Sequence, residues 1–192
     1  MWKKPSPRQD QQSDLSGRER LFVEAYEWIE SLVVTTVAVV LMFTFIARTS
    51  VVNGYSMEDT LHEGDLLIVS RLLYTPKRGD IIVVTKPTGY DPLVKRVVAM
   101  GGQSVDIDFE AGVVTVDGIT ADEPFIKEET HLHYDVAFPV LVPEGQVFVM
   151  GDNRNRSLDS RSTSIGFIDE RYILGKAWVR LLPVAKFGSI YP

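Results

Sequence analysis

The sequence predicts a mostly β protein: an antiparallel β-sheet or barrel-like domain preceded by one N-terminal transmembrane helix. Three observations predict it. From about residue 50, short β-branched runs alternate with turn residues. Asp117-Gly118 separates two such runs, and an Asp-Gly pair is a strong hairpin signal. Ahead of them, no charged residue occurs from Ser31 to Ala47, and a bilayer core takes about 17–25 helical residues.

Taken in order, residues 1–25 read as a polar tail with Pro5, Pro7 and clustered Gln. Residues 26–49 form the expected transmembrane helix. Leu32, Val33, Val34, Val37, Val39, Val40 and Leu41 dominate it, and Tyr26 and Trp28 sit where an interfacial aromatic belt would fall. Lys3, Lys4, Arg8, Arg18 and Arg20 lie upstream, whereas Arg48 stands alone downstream until Arg71. The excess of positive charge predicts a cytoplasmic N-terminus, a single pass through the cell membrane and an extracytoplasmic domain over 50–192. The lipid bilayer is then a partner.

Within 50–192 the expected strands are Leu66 to Val69, Ile81 to Thr85, Leu93 to Met100, Val105 to Phe109, Val113 to Val116, Gln146 to Met150 and Lys176 to Leu182. Pro76 to Asp80, Gly101-Gly102 and Gly151-Asp152-Asn153 supply turns between them. The stretch from Ala121 to Pro143 has no period and reads as an irregular excursion. Short strands at this spacing suit a barrel or a pair of packed sheets.

Composition narrows the chemistry. The net charge of -6 over 192 residues argues against nucleic acid as a partner, because phosphate binding wants a basic field. Cysteine is absent, so disulfides, thiolate metal sites and a cysteine nucleophile are excluded together. No cofactor is expected. His131 and His133 alternate but no carboxylate pattern completes a metal site, and His62 sits in a polar turn.

Two residues remain as candidates for nucleophilic chemistry. Ser56 follows Val51-Val52-Asn53-Gly54-Tyr55, and Gly54 would let another backbone approach closely. Lys95 lies in Leu93-Val94-Lys95-Arg96-Val97-Val98, where strand alternation puts one basic residue among apolar neighbours on each face. Desolvation lowers a lysine pKa, so Lys95 can be a general base; Arg96 stays protonated and cannot. A third feature, Gly151-Asp152-Asn153-Arg154-Asn155-Arg156-Ser157-Leu158-Asp159-Ser160-Arg161, is dense enough in donors and acceptors to knit a network that fixes a base.

The order of an apolar helix, Gly-x-Ser-Met-x-x-Thr-Leu, Lys-Arg-Val-Val and Gly-Asp-Asn-Arg-Asn-x-Ser-x-Asp-Ser-Arg resembles the bacterial type I signal peptidases, in a compact form with one transmembrane helix. The resemblance implies a membrane-bound serine endopeptidase that removes signal peptides from exported preproteins through an acyl-enzyme. It implies Ser56 as nucleophile and Lys95 as general base. Ser157 would hydrogen-bond the lysine amine, Asp159 and Arg161 would pair to buttress that region, and Asp152, Asn153 and Arg154 would hold the loop. Met57, Thr60 and Leu61 would shape the turn after Ser56. The backbone around Gly54 and Ser56 would form the oxyanion hole. The sequence departs from the family pattern at Asp59 and Gly101, where proline is common, and at Gly54, where some members carry a serine hydroxyl.

Overall fold

The computed structural model describes residues 17–45, 48–85 and 92–191, and the helical side chains at 18 and 20–41. The chain divides into two units, with the boundary between Phe45 and Ile46.

The first unit contains a 29-residue helix, α1 (Gly17–Phe45). No proline or glycine interrupts it after its first residue, so the i to i−4 ladder runs unbroken. This helix corrects the transmembrane expectation. Among the described residues no helix is long and apolar enough to cross a membrane. Arg18, Glu19, Arg20, Glu24, Glu27 and Glu30 charge its first half. The uncharged part of the helix, residues 31–45, rises about 22 Å at 1.5 Å per residue, short of the roughly 30 Å hydrocarbon core. Residues 46 and 47 of the expected run lie outside the described residues, as does most of the expected tail. The single-pass topology, the cell-membrane location and the inside–outside assignment rested on that helix and fall with it. The bilayer as a partner rested on it too.

The second unit is β. Its strands are β1 (Arg48–Val51), β2 (Leu66–Ser70), β3 (Ile81–Val84), β4 (Leu93–Met100), β5 (Ser104–Asp108), β6 (Val113–Val116), β7 (Ile119–Thr120), β8 (Val140–Leu141), β9 (Gln146–Met150), β10 (Ile168–Asp169), β11 (Ile173–Leu182) and β12 (Gly188–Ser189). One sheet runs β1-β2-β11-β3-β4-β9-β10, with β12 beside β11; a second runs β7-β6-β5-β8. All these pairings are antiparallel. The mostly β, barrel-like class therefore stands.

Burial follows the apolar patterning. Every residue of β3 is buried, and so is β4 from Val94 to Ala99, because both strands lie in the middle of the larger sheet. In β5, by contrast, Val105 and Ile107 are buried while Asp106 and Asp108 are exposed. One face of the smaller sheet thus packs on a core of Val105, Ile107, Val114, Val116 and Phe148. Asp117 and Gly118 both adopt positive φ, 53° and 75°, as a two-residue turn matched to strand twist requires. They join β6 to β7 with Val116 opposite Ile119.

The larger sheet leaves two strand edges open. Among the described residues β1 pairs only with β2. β4 pairs with β3 along Leu93–Arg96, but its pairing with β9 begins only at Arg96, opposite Met150. Leu93, Val94 and Lys95 therefore present an open edge next to the end of β9.

Candidate active site

The turn after β1 brings Ser56 to the open edge of β4. Val52 donates to Asp65 O at 2.9 Å, and Gly64 donates back to Val52 O at 2.9 Å. This closes a loop whose tip holds Gly54, Tyr55 and Ser56. Gly54 has φ +83°, which a glycine adopts without strain, and a Cβ there would meet nothing within 4 Å. Met57 and Leu61 anchor the turn in the core beside Val52, Val83 and Val94. The Leu61 N–H donates to Met57 O at 2.8 Å.

Lys95 is 4% exposed. Its Nζ donates to Ser56 Oγ at 2.6 Å, the only hydrogen bond of that amine among the described residues. Burial pushes the Lys95 pKa down to about 8; the Asp159 carboxylate opposes this, the Arg161 guanidinium adds to it, and Asp152 opposes it. The structure thus joins the serine and the lysine singled out from sequence, in a place where the ammonium is poorly solvated.

The expected Ser157–Lys95 hydrogen bond is not formed. Ser157 is fully buried and its Oγ has no partner among the described residues. It nonetheless lies close by. A Cβ added to Gly151 would overlap both Ser157 Oγ and Ser56 O, so those two atoms approach within about 5 Å of each other. The Gly151 N–H donates to Asp159 Oδ2 at 3.1 Å, which fixes the loop start against its end.

The loop Gly151–Arg161 is held by three buried ion pairs. Arg161 grips Asp159 with Nε at 2.8 Å and Nη2 at 2.9 Å. Its remaining donors reach Leu132 O at 2.7 Å, Arg154 O at 2.6 Å and Ser157 O at 3.3 Å. Arg154 grips Glu123 at 2.7 and 2.6 Å and also donates to Thr130 Oγ1 at 3.0 Å and Gly151 O at 3.0 Å. Arg96 grips Asp152 at 2.8 and 2.6 Å, donates to Gly79 O at 2.8 Å and stacks on Phe125 at 3.7 Å. These guanidiniums are buried, so each needs this complete set of acceptors.

The loop also binds the turn that carries Ser56. Thr60 Oγ1 donates to Asp152 Oδ2 at 2.5 Å. The Asn153 N–H donates to Ser56 O at 3.0 Å, and Asn153 Nδ2 donates to Tyr55 O at 3.1 Å. Alternation on β4 explains the arrangement: Lys95 faces Ser56, while Arg96 on the opposite face fastens the loop that holds the serine turn.

Several of these partners carry no signal in the sequence. Glu123, Phe125, Thr130, Leu132 and Tyr134 come from the irregular excursion and fold over the loop; Tyr134 Oη donates to Ser157 O at 3.1 Å. Arg96 cannot serve as a base, yet it positions the loop. His62 is half-buried rather than exposed, and its N–H donates to Asp65 Oδ2 at 3.0 Å. His131 and His133 rest on backbone carbonyls. Among the described residues no group of His, Cys, Asp or Glu could hold a metal.

Known proteins resemble this chain in sequence. The family model described as signal peptidase, peptidase S26, matches residues 25–182. A probable signal peptidase I-1 from Synechocystis sp. is 38% identical over 175 residues, covering 85% of this chain and 86% of the relative. A signal peptidase I from Bacillus licheniformis is 32% identical over 168 residues, covering 82% and 89%. The crystal structure of a signal peptidase I from Enterococcus faecalis is 26% identical and covers 54% of this chain and 97% of that one, with a TM-score of 0.42.

Proposed function

The chain belongs to the signal peptidase family, peptidase S26, and from that membership we propose that it is a serine endopeptidase that removes signal peptides from exported preproteins, with Ser56 as nucleophile and Lys95 as general base. Membership supports serine-type signal-peptide cleavage in general, and with it interaction with exported preproteins. The observation that carries the finer assignment is the 2.6 Å contact between the Nζ of buried Lys95 and Ser56 Oγ.

The substrate segment lies extended along the open edge of β4 at Leu93–Lys95 and the free edge of β1, as an added strand. Neutral Lys95 accepts the Ser56 hydroxyl proton through the contact it already makes. Ser56 Oγ then attacks the scissile carbonyl carbon. The developing oxyanion meets the Ser56 N–H, which makes no hydrogen bond within the described residues. Gly54 supplies no hydroxyl to help. The protonated Lys95 passes its proton to the leaving amine, and the acyl-enzyme remains. Water, deprotonated by Lys95, releases the signal-peptide half. Asp152, Asn153, Ser157, Asp159 and Arg161 act by positioning the serine turn and the lysine.

Cleavage of a model preprotein tests this reading. Ser56→Ala and Lys95→Arg should each lose activity by about 10³-fold or more, as removal of a nucleophile or its base does elsewhere. Normal cleavage by Lys95→Arg, with its permanent charge, would refute the lysine's role.

A further inference from the structure

Inside the loop Gly151–Arg161, the side chains of Asp152, Asn153, Arg154, Ser157, Asp159, Ser160 and Arg161 are buried, while Arg156 and Leu158 point outward. Across from them, Tyr55 is 45% exposed beside Ser56. Arg156 stacks its guanidinium over the Tyr55 ring at 5.1 Å. The two residues therefore bridge the nucleophile turn and the loop at the rim of the site.

Arg156 differs from the other arginines of this region. Arg96, Arg154 and Arg161 each hold a carboxylate in a bidentate grip. Arg156 has no carboxylate within ion-pair distance among the described residues, although Glu63 faces the Tyr55 hydroxyl and Glu58 lies near the same ring. Its contact with the ring face holds the guanidinium at the rim without using its N–H donors.

The sheet geometry decides what passes over this rim. The open edge of β4 stops at Arg96, opposite Met150 at the end of β9, and Gly151 follows at once. A strand added along Leu93–Lys95 runs into the loop at Gly151 and has to leave across its outer surface. With the signal-peptide half on the open edge, the half beyond the scissile bond crosses Tyr55, Arg156 and Leu158.

We propose that Arg156, held over the Tyr55 ring, selects substrates carrying an acidic side chain within the first two residues after the cut. The inference rests on the peptidase reading above. A guanidinium binds a carboxylate through two parallel N–H···O bonds and repels an ammonium. At an exposed rim, the preference of acidic over basic residues amounts to about three- to tenfold.

The test uses three model preproteins that differ only in the two residues after the cut: Asp-Asp, Ala-Ala and Lys-Lys. The value of kcat/KM is measured for wild type, Arg156→Gln and Arg156→Glu. Wild type should rank Asp over Ala over Lys. Arg156→Gln should flatten the ranking and Arg156→Glu should invert it, with added salt flattening wild type alone toward the Gln variant. A wild-type ranking that survives unchanged in both variants, or equal rates on all three substrates, overturns the assignment to Arg156 while leaving the peptidase reading intact. If wild type cuts none of the three, the peptidase reading falls first and this inference with it.

Discussion

Lys95 titrates near 8 because its burial penalises the ammonium more than the surrounding carboxylates favour it. An activity that needs the neutral amine should therefore rise about tenfold per pH unit up to roughly pH 8 and level off above it. A pH profile of kcat/KM on a model preprotein checks this, and a flat profile across mild acid to mild alkali would rule out Lys95 as the base. The same shift has a consequence for stability. Above the ordinary lysine value of 10.5, Lys95 is neutral folded and unfolded, and burial of its charge costs nothing. As pH falls from 10.5 toward 8, the unfolded chain takes up a proton that the folded chain resists, so stability declines. Below 8 both forms are protonated and the cost stays constant, about 3 kcal/mol. Lys95→Met removes it and gives up one hydrogen bond. The variant should be more stable than wild type at pH 7 by about 1–3 kcal/mol, and the gain should vanish near pH 10.5. Urea unfolding at the two pH values measures both. A residue that weakens the fold while the replacement strengthens it is the pattern expected where function, rather than packing, accounts for the side chain.

At the scale of elements, the site is a junction between the end of β9, the turn after β1 and the open edge of β4. Gly151 is the point where they touch. An added Cβ would overlap Ser56 O and Ser157 Oγ and stand 2.6 Å from Ser157 Cβ. Two of the three obstacles are fixed, since Ser56 O accepts from Asn153 and Ser157 is fully buried. Gly151→Ala should push the serine turn away from Lys95. A displacement of about 1 Å in such a geometry costs on the order of a hundredfold in rate. Cleavage kinetics should thus show a fall in kcat with little change in KM, while circular dichroism keeps the β signature. A variant with wild-type kcat would mean the turn tolerates displacement, and the positioning role assigned to the loop would be wrong.

For the whole molecule, β-branched runs make much of both sheets legible. Leu93–Met100, Val113–Val116 and Gln146–Met150 form strands with the ends that their apolar runs mark. β7, β8, β10 and β12 are two residues each and carry no period of their own; a partner strand elsewhere in the chain creates them. The uncharged run misleads when it is weighed without the six charges that share its helix. Ser56 and Lys95 are legible only through motif order, since each residue type alone is common on surfaces. The covering excursion from Ala121 to Pro143 is not legible, because much of its contribution is made through backbone groups such as Leu132 O. Backbone carbonyls leave no mark in residue identity. Glu123 is a side-chain partner, but nothing near it in sequence points to Arg154, 31 positions away.

Under the function proposed above, the open edge at Leu93–Lys95 also bears on what happens after the bond is cut. A bound chain holds to the edge as one continuous strand, and its ladder hydrogen bonds act together. Hydrolysis divides that strand at Ser56 into two shorter pieces, each with fewer bonds and each free to fray alone. The half that crosses the loop has no strand beneath it and departs first; the half on β4 keeps the short ladder it had and leaves once its ester is broken. Product release is in this way a result of the reaction itself, and turnover needs no separate opening of the fold.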